Sequence, residues 1–183
     1  MWRLSGCRNR TFRKNMRTLK FYISIFALTL SFAIGAAAQT VLTSLDGANV
    51  NVEDQKGKIV VLAVGASWLP LSGKQAEITN TLAKKYAGRQ VVFYFVATDS
   101  TNPKSKNYAS NEAIRQFAAS NKLTVTILRD GDGALLTKNL NVEQVPSFVL
   151  LDKLGKPATE PFGGIDPKFD LSVPISKAID KLL

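Results

Sequence analysis

The fold is decided by Gly-Ala-Ser-Trp-Leu-Pro-Leu-Ser at residues 65–72, which lies between two apolar segments of different periodicity. Residues 58–64, Lys-Ile-Val-Val-Leu-Ala-Val, are almost continuously aliphatic, and this indicates a strand buried on both faces. A helix is predicted to begin near Pro70, because apolar residues then recur at intervals of four: Ile78, Leu82 and Tyr86. The stretch is therefore a turn with Trp and Pro that joins a buried strand to a helix N-terminus.

This arrangement resembles the thioredoxin superfamily. The turn is similar to that of the exported TlpA/ResA-like thiol-disulfide oxidoreductases, a peroxiredoxin-related family whose common motif is Ala-Thr-Trp-Cys-Pro-Pro-Cys. Trp68 and Pro70 match that motif, whereas Leu69 stands at the family's nucleophile position and Ser72 at its resolving position. The resemblance extends from about residue 42 to residue 183. It implies a thioredoxin-like fold without the two cysteines that carry the family's chemistry.

A second motif supports the same resemblance. Val145-Pro146 precedes the apolar residues 147–151, and it matches the superfamily's cis-proline position. A proline is tolerated where a strand opens, because its missing N–H falls at the strand's first residue. In the family this loop faces the redox motif, and the residue before the proline pairs with the backbone of an extended substrate. The resemblance gives that role to Val145.

The basic residues are unevenly distributed. Seven of the 24 Lys and Arg residues lie within residues 1–45, which contain no Asp or Glu, and the other 17 are balanced by 14 acidic residues. The net charge of +10 therefore does not predict nucleic-acid binding. The basic stretch leads into apolar residues 21–34 and then Gly-Ala-Ala-Ala-Gln at residues 35–39. This three-part pattern predicts a secretory signal peptide over residues 1–38.

An uncleaved membrane anchor is the alternative, because residues 21–38 are just long enough to span a bilayer. We expect an exported protein, periplasmic or secreted, whose mature form begins near Gln39. If the segment is retained, the protein would be anchored and would face outside the cytoplasm. Residues 39–183 are predicted to form one thioredoxin-like domain.

The chain offers few groups for redox or metal chemistry. Its only cysteine, Cys7, lies in the predicted signal peptide, and it has no His. We therefore predict no disulfide, no metal site and no cofactor in the processed chain. Residues 130–133, Asp-Gly-Asp-Gly, have the beginning of a calcium loop but lack its closing Glu, and they are interpreted as a turn.

The remaining pattern predicts an α/β fold with a central mixed sheet, flanking helices and an N-terminal hairpin. Asp46-Gly47 predicts the hairpin within residues 42–52. Further strands are predicted at residues 90–97, 123–128, 147–151 and, at an edge, 158–162; helices are predicted at 111–122, 134–140 and 174–183. The segment 100–110 is predicted to be a solvated loop. The predicted core consists of Val60, Leu62, Val64, Ile78, Leu82, Val92, Phe93, Phe95, Ile114, Phe117, Ile127, Phe148, Leu150 and Ile179.

The motif positions do not predict catalysis. Leu69 has no ionisable atom, and the hydroxyl of Ser72 is not ionised near neutral pH without an activating base. Ser72 and Gln75 have the spacing of a capping box, which predicts that Ser72 accepts a hydrogen bond from the helix backbone. The helix pattern is interpreted with Gln75 on a different face from Ile78, Leu82 and Tyr86. The resemblance also places Ala63 where the family commonly carries a polar or acidic side chain that transfers protons. Peroxidase chemistry is excluded for the same lack of a thiol.

Two functional hypotheses from different classes follow. The first is a redox-inactive binding or accessory module, in which Trp68, Pro70, Leu71, Val145 and Pro146, with Leu69, form an apolar groove for an extended polypeptide or protein partner. The second is a thiol-disulfide oxidoreductase or antioxidant-family member that is active through a thiol supplied by a partner or by another route. A folded domain without a partner is a third hypothesis.

Overall fold

The structure is a computed structural model that describes residues 40–166 and 168–183. The predicted signal peptide and the alternative anchor lie outside the described residues. Within those residues the strands are β1 (Val41–Ser44), β2 (Asn49–Asn51), β3 (Ile59–Gly65), β4 (Val91–Ala97), β5 (Thr126–Arg129), β6 (Ser147–Leu151) and β7 (Phe162–Gly163). They form one sheet in the order β2-β1-β5-β4-β3-β6-β7. The predicted N-terminal hairpin is confirmed, because β1 and β2 pair antiparallel.

Four helices accompany the sheet in the described part of the chain: α1 (Ser72–Lys85), α2 (Asn111–Ser120), α3 (Ala134–Leu140) and α4 (Ser172–Leu182). Helix α1 connects β3 to β4, and these two strands pair parallel as predicted. Strand β6 returns antiparallel on the other side of β3. Of the helices described, none is both long enough and apolar enough to cross a membrane.

Strand β3 lies at the centre of the core and is buried along its whole length. Its alternate residues Ile59, Val61 and Ala63 pack into one apolar cluster with residues of α1, α2 and α4. Val60, Leu62 and Val64 pack into a second cluster with residues of α3. Each fully buried side chain of this size contributes about 1.5–3 kcal/mol of transfer free energy, so the two-sided burial fixes the end of β3 firmly beneath residues 66–72.

Most of the predicted core is confirmed. Three predicted core residues, Val92, Phe117 and Ile127, are only half-buried and pack against the rims of the two clusters. The others are buried.

Several predicted boundaries are wrong. Helix α1 begins at Ser72 rather than near Pro70, because residues 66–71 are held in a turn by their own backbone bonds. The edge strand predicted over residues 158–162 is reduced to β7, since Pro161 lacks the N–H that a longer ladder needs. Strand β5 begins at Thr126 rather than Leu123, and α2 ends at Ser120.

Candidate functional site

Residues 66–71 form the motif turn, which joins β3 to α1. The N–H of Leu69 donates to the carbonyl of Ala66 at 3.2 Å, and the N–H of Ser72 donates to the carbonyl of Leu69 at 3.1 Å. These bonds leave the indole of Trp68 51% exposed, whereas Leu69 is half-buried. The turn therefore presents Trp68 to solvent and directs the next side chain partly into the protein.

Asp99 anchors the beginning of the motif turn. It follows β4 and is fully buried, and both oxygens of its carboxylate accept the N–H of Ser67 at 3.0 Å. The hydroxyl of Ser67 donates to the same carboxylate. Asp99 thus fixes the residue that immediately precedes Trp68.

The capping-box prediction for Ser72 is wrong. Ser72 is the first residue of α1, and its hydroxyl does not cap the helix. It donates instead to the carbonyl of Ala66 at 2.6 Å. Because Ser72 is fully buried, its hydroxyl requires a partner inside the protein, and the carbonyl at the start of the turn supplies one. The side chain at the resolving position therefore closes the motif turn.

The prediction that Gln75 lies on a different helix face from Ile78 and Leu82 is wrong as well. Gln75 is fully buried, and its Nε2 donates to the carbonyls of Val64 at 3.0 Å and Ser147 at 2.8 Å. The amide thus links β3 to β6 directly beneath the motif turn. A Cβ at Gly65 would collide with Oε1 of Gln75, so any other residue there would displace the buried amide. No described group donates to that Oε1.

Arg129 holds the segment 100–110 against the site. Its buried guanidinium donates from Nη1 to the carbonyl of Ala109 at 2.9 Å and from Nη2 to the carbonyl of Asp99 at 3.0 Å. Ser100 and Ala109 are buried at the two ends of the segment. The prediction of a wholly solvated loop is therefore wrong at its ends, where a buried cation fixes the backbone.

A cavity of about 250 Å³, the motif cavity, opens beside Trp68. Its apolar side chains are Val64, Trp68, Leu136, Val142 and Val145. Its polar side chains are Thr98, Asn107, Asp132, Thr137, Glu143 and Gln144. The groove is thus more polar than the sequence predicted, because the residue after β4, the segment 100–110, and α3 with the residues on either side of it contribute side chains that do not belong to either motif.

The structure brings together two of the five predicted binding residues. Trp68 and Val145 line the same cavity, although 77 positions separate them in sequence. Pro70 is exposed, Leu71 packs against the core and Pro146 is buried, and none of these three lines the cavity. The Val145–Pro146 peptide bond is cis.

Val145 also presents unused backbone groups. The residue is 37% exposed and precedes β6, whose ladder with β3 begins at Ser147. Within the described residues, no hydrogen bond is made by the N–H or the carbonyl of Val145. An extended chain passing Trp68 would therefore find a free donor and a free acceptor there.

The described residues contain no Cys or His, and no group of acidic residues among them is arranged to hold a metal ion. Ala63, at the position of the family's proton-transfer residue, is fully buried in an apolar cluster.

The sequence model of the redoxin family matches residues 32–158 of the chain. The chain belongs to the redoxin family. This redoxin is 31% identical over 114 residues to the thioredoxin-like protein YneN of Bacillus subtilis, covering 62% of each chain. It is 29% identical over 136 residues to the thiol-disulfide oxidoreductase ResA of Bacillus cereus, covering 74% of this chain and 73% of ResA. The predicted TlpA/ResA-like identity is therefore confirmed.

The thioredoxin-like fold of the redoxin is confirmed by solved structures. One is a secreted disulfide oxidoreductase of Mycobacterium tuberculosis, described as homologous to DsbE of E. coli. It superposes with a TM-score of 0.58 at 24% identity, covering 79% of this chain and 96% of that one. At that identity the likeness shows the fold alone. On this shared fold the redoxin has Leu69 in its motif turn and Ser72 at the start of α1.

Proposed function

We propose that this redoxin is an exported binding module that captures an extended polypeptide and does not itself exchange disulfides. The observation that carries the proposal is that Trp68 and Val145 line one cavity while Leu69 and Ser72 occupy the motif positions. Exchange requires a thiolate that attacks a sulfur atom, and neither Leu69 nor Ser72 supplies one. The cavity therefore has side chains that can bind a polypeptide but no thiol that can exchange a disulfide.

The backbone of Val145 supports capture by strand addition. Main-chain hydrogen bonds supply affinity in this mode, and pockets for alternate side chains supply specificity. The N–H and the carbonyl of Val145, which have no partner among the described residues, would make the main-chain hydrogen bonds. The motif cavity would receive a side chain. Leu136 and Thr137 of α3 and Asn107 of the segment held by Arg129 form part of the cavity wall opposite the motif residues.

A second candidate is a thiol-disulfide oxidoreductase that uses a thiol from a partner protein. It is favoured by the name of ResA, which matches over 74% of this chain. In that case the motif cavity would position the partner's cysteine, and the chain would contribute no sulfur of its own.

We propose that the protein acts outside the cytoplasm. The basic and apolar pattern of residues 1–38 supports export, and a structural neighbour is described as secreted. Cleavage near Gln39 would release the domain, whereas retention of residues 21–38 would anchor it. The intact mass of the protein recovered from its host distinguishes these outcomes.

Two measurements test the proposal. In the first, the protein is incubated with insulin and dithiothreitol; we expect no turnover above the rate without protein. In the second, a short extended peptide without cysteine is titrated against the fluorescence of Trp68, the only tryptophan in residues 40–183. We expect saturable binding that Trp68→Ala weakens by about tenfold when binding is followed by calorimetry.

Leu154→Ala is the matched control for Trp68→Ala. Leu154 is 75% exposed, and it follows β6 at the end of the sheet opposite Val145. Both variants should keep the wild-type free energy of unfolding within about 0.5 kcal/mol, because both remove exposed side chains. Turnover of insulin would refute redox inactivity. Equal binding by the wild type and by Trp68→Ala would refute the motif cavity as the site.

A further inference from the structure

The motif cavity has an acidic lining. Asp132 and Glu143 are its charged side chains. An adjoining cavity of about 420 Å³ shares Glu143 and Gln144 with it and adds Glu160. No Lys or Arg lines either cavity. In the part of the chain that the structure describes, however, 17 Lys and Arg residues outnumber 14 Asp and Glu residues. The negative charge is therefore concentrated at this site against the overall balance.

Among the described residues, none of these three carboxylates forms an ion pair. The ion pairs of the described residues join Lys74 to Glu77 and Arg115 to Asp46 and Glu112, all away from both cavities. Asp132 accepts one hydrogen bond, from the hydroxyl of Ser100 at 3.3 Å. Its backbone N–H donates to the carbonyl of Thr98 at 3.2 Å, which holds the residue at the cavity rim.

Trp68 adds a second feature that favours a cation. An indole attracts a Lys ammonium or an Arg guanidinium over its face more strongly than other aromatic rings do. The ring is half-exposed and lines the same cavity as Asp132 and Glu143. A cationic side chain in the cavity would thus meet an aromatic ring and two carboxylates, while its aliphatic stem would lie against Val142 and Val145.

We propose that the polypeptide captured at the motif cavity carries a Lys or Arg side chain that enters the cavity between Trp68, Asp132 and Glu143. The inference rests on the proposed function, since it names the class of segment that the same site selects. A neutral or acidic extended segment would leave the carboxylates without a partner. The test must also distinguish a cationic segment of a partner polypeptide from a second copy of this chain as the occupant of the cavity.

The test uses three capped Thr/Val peptides that differ at one central residue, which is Lys, Gln or Glu. Binding to the protein, in the form in which its host produces it, is followed by calorimetry at low and at high salt. We expect the Lys peptide to bind about tenfold more tightly than the Gln peptide at low salt, with the Glu peptide weakest. The preference should shrink as salt screens the carboxylates.

The double variant Asp132→Asn, Glu143→Gln should reduce the Lys-to-Gln preference to about threefold or less, because only the indole would remain to favour the cation. Asn is chosen at position 132 because the residue has φ of +62°, which Asn tolerates. Glu77→Gln is the matched control: it removes an exposed carboxylate that lines neither cavity, and it should keep the full preference.

Each outcome decides one claim. Equal affinity for the Lys and Gln peptides overturns the cation preference and leaves peptide capture standing. Binding of none of the three peptides overturns the proposed function itself. Sedimentation of the peptide-free protein completes the test, because self-association that the double variant abolishes would make a second copy the occupant and overturn the proposal.

Discussion

The inner and outer sides of the motif turn differ in how their polar and aromatic groups are used. On the inner side, Ser67 bonds to Asp99, Ser72 bonds to Ala66, and the amide nitrogen of Gln75 bonds to two strands. On the outer side, Trp68 is half-exposed and the backbone of Val145 is unused by the described residues. The inner groups stabilise the turn, and the outer groups are available to a ligand.

This difference explains how Leu69 and Ser72 can occupy the two motif positions while the turn between β3 and α1 is kept. The resolving position lies on the inner side, where a buried hydroxyl already closes the turn. The nucleophile position is half-buried, and an apolar Leu69 fits there without requiring a hydrogen-bond partner. Changes on the inner side should therefore affect folding first, and changes on the outer side should affect binding.

The largest expected effect is that of Gln75→Glu on stability. The new carboxylate would face the carbonyls of Val64 and Ser147 with no proton to donate, so ionisation is penalised in the folded state and the pKa is raised above its unfolded value of about 4.3. Stability is therefore retained below that value and lost as the pH rises through the folded-state pKa. We expect a loss of about 3 kcal/mol at pH 7, measured by urea unfolding.

Gln116→Glu is the control for this variant. Gln116 is an exposed glutamine on α2, and the same chemical change there should alter the free energy of unfolding by no more than about 0.5 kcal/mol. If the free energy of unfolding that Gln75→Glu loses relative to the wild type is the same at pH 4 and at pH 7, the amide does not depend on its two donated bonds. The inner side is then less constrained than its geometry indicates.

The next effect in size is that of Asp99→Ala. This change removes the acceptor for the N–H and the hydroxyl of Ser67, and it also leaves a void beneath the turn. We expect the free energy of unfolding to fall by about 2 kcal/mol. Because Ser67 precedes Trp68, the emission of Trp68 in the folded protein should also change. Asp46→Ala, at an exposed ion pair, should do neither; unchanged emission in Asp99→Ala would show that Asp99 does not position the turn.

The sheet and its layers could be predicted from the sequence because β3 is apolar without interruption and helix periodicity follows it. The Asp46-Gly47 turn and the run 134–140 also placed the hairpin and α3 correctly. These signals depend on neighbouring residues, so they are visible without knowledge of the fold. Trp68 and Val145 could be brought together only by resemblance, since nothing local connects them.

The inner side of the site was not predictable in the same way. Gln75 is a polar residue that shares the helix face of Ile78 and Leu82, three and seven positions later, and the burial of its amide depends on β6 returning beside β3, 72 positions after it in sequence. Arg129 donates a hydrogen bond to the carbonyl of Asp99, although the two residues are 30 positions apart in sequence. They meet because the ends of β4 and β5 lie side by side. The acidic lining was missed for the same reason: Asp132, Glu143 and Glu160 come from three separate connections of the chain, and they line two adjoining cavities only after folding.

The smallest expected effect on stability is that of the double change Leu69→Cys, Ser72→Cys. This variant tests whether the outer position 69 and the inner position 72 are still close enough to be joined. The bond from the N–H of Ser72 to the carbonyl of Leu69 indicates a turn that brings the two Cα atoms within about 7 Å, near the range that a disulfide spans. Loss of the bond from Ser72 to Ala66 should cost the reduced variant about 1 kcal/mol. Thiol titration after oxidation should find both sulfurs paired, and insulin reduction should become measurable but slow, because Ala63 provides no group to transfer protons.

The single change Leu69→Cys is the control, with one free thiol and no disulfide within the chain. Two free thiols in the oxidised double variant would mean that the inner and outer positions have moved apart, and the case for a binding site built on the family's frame would weaken with them.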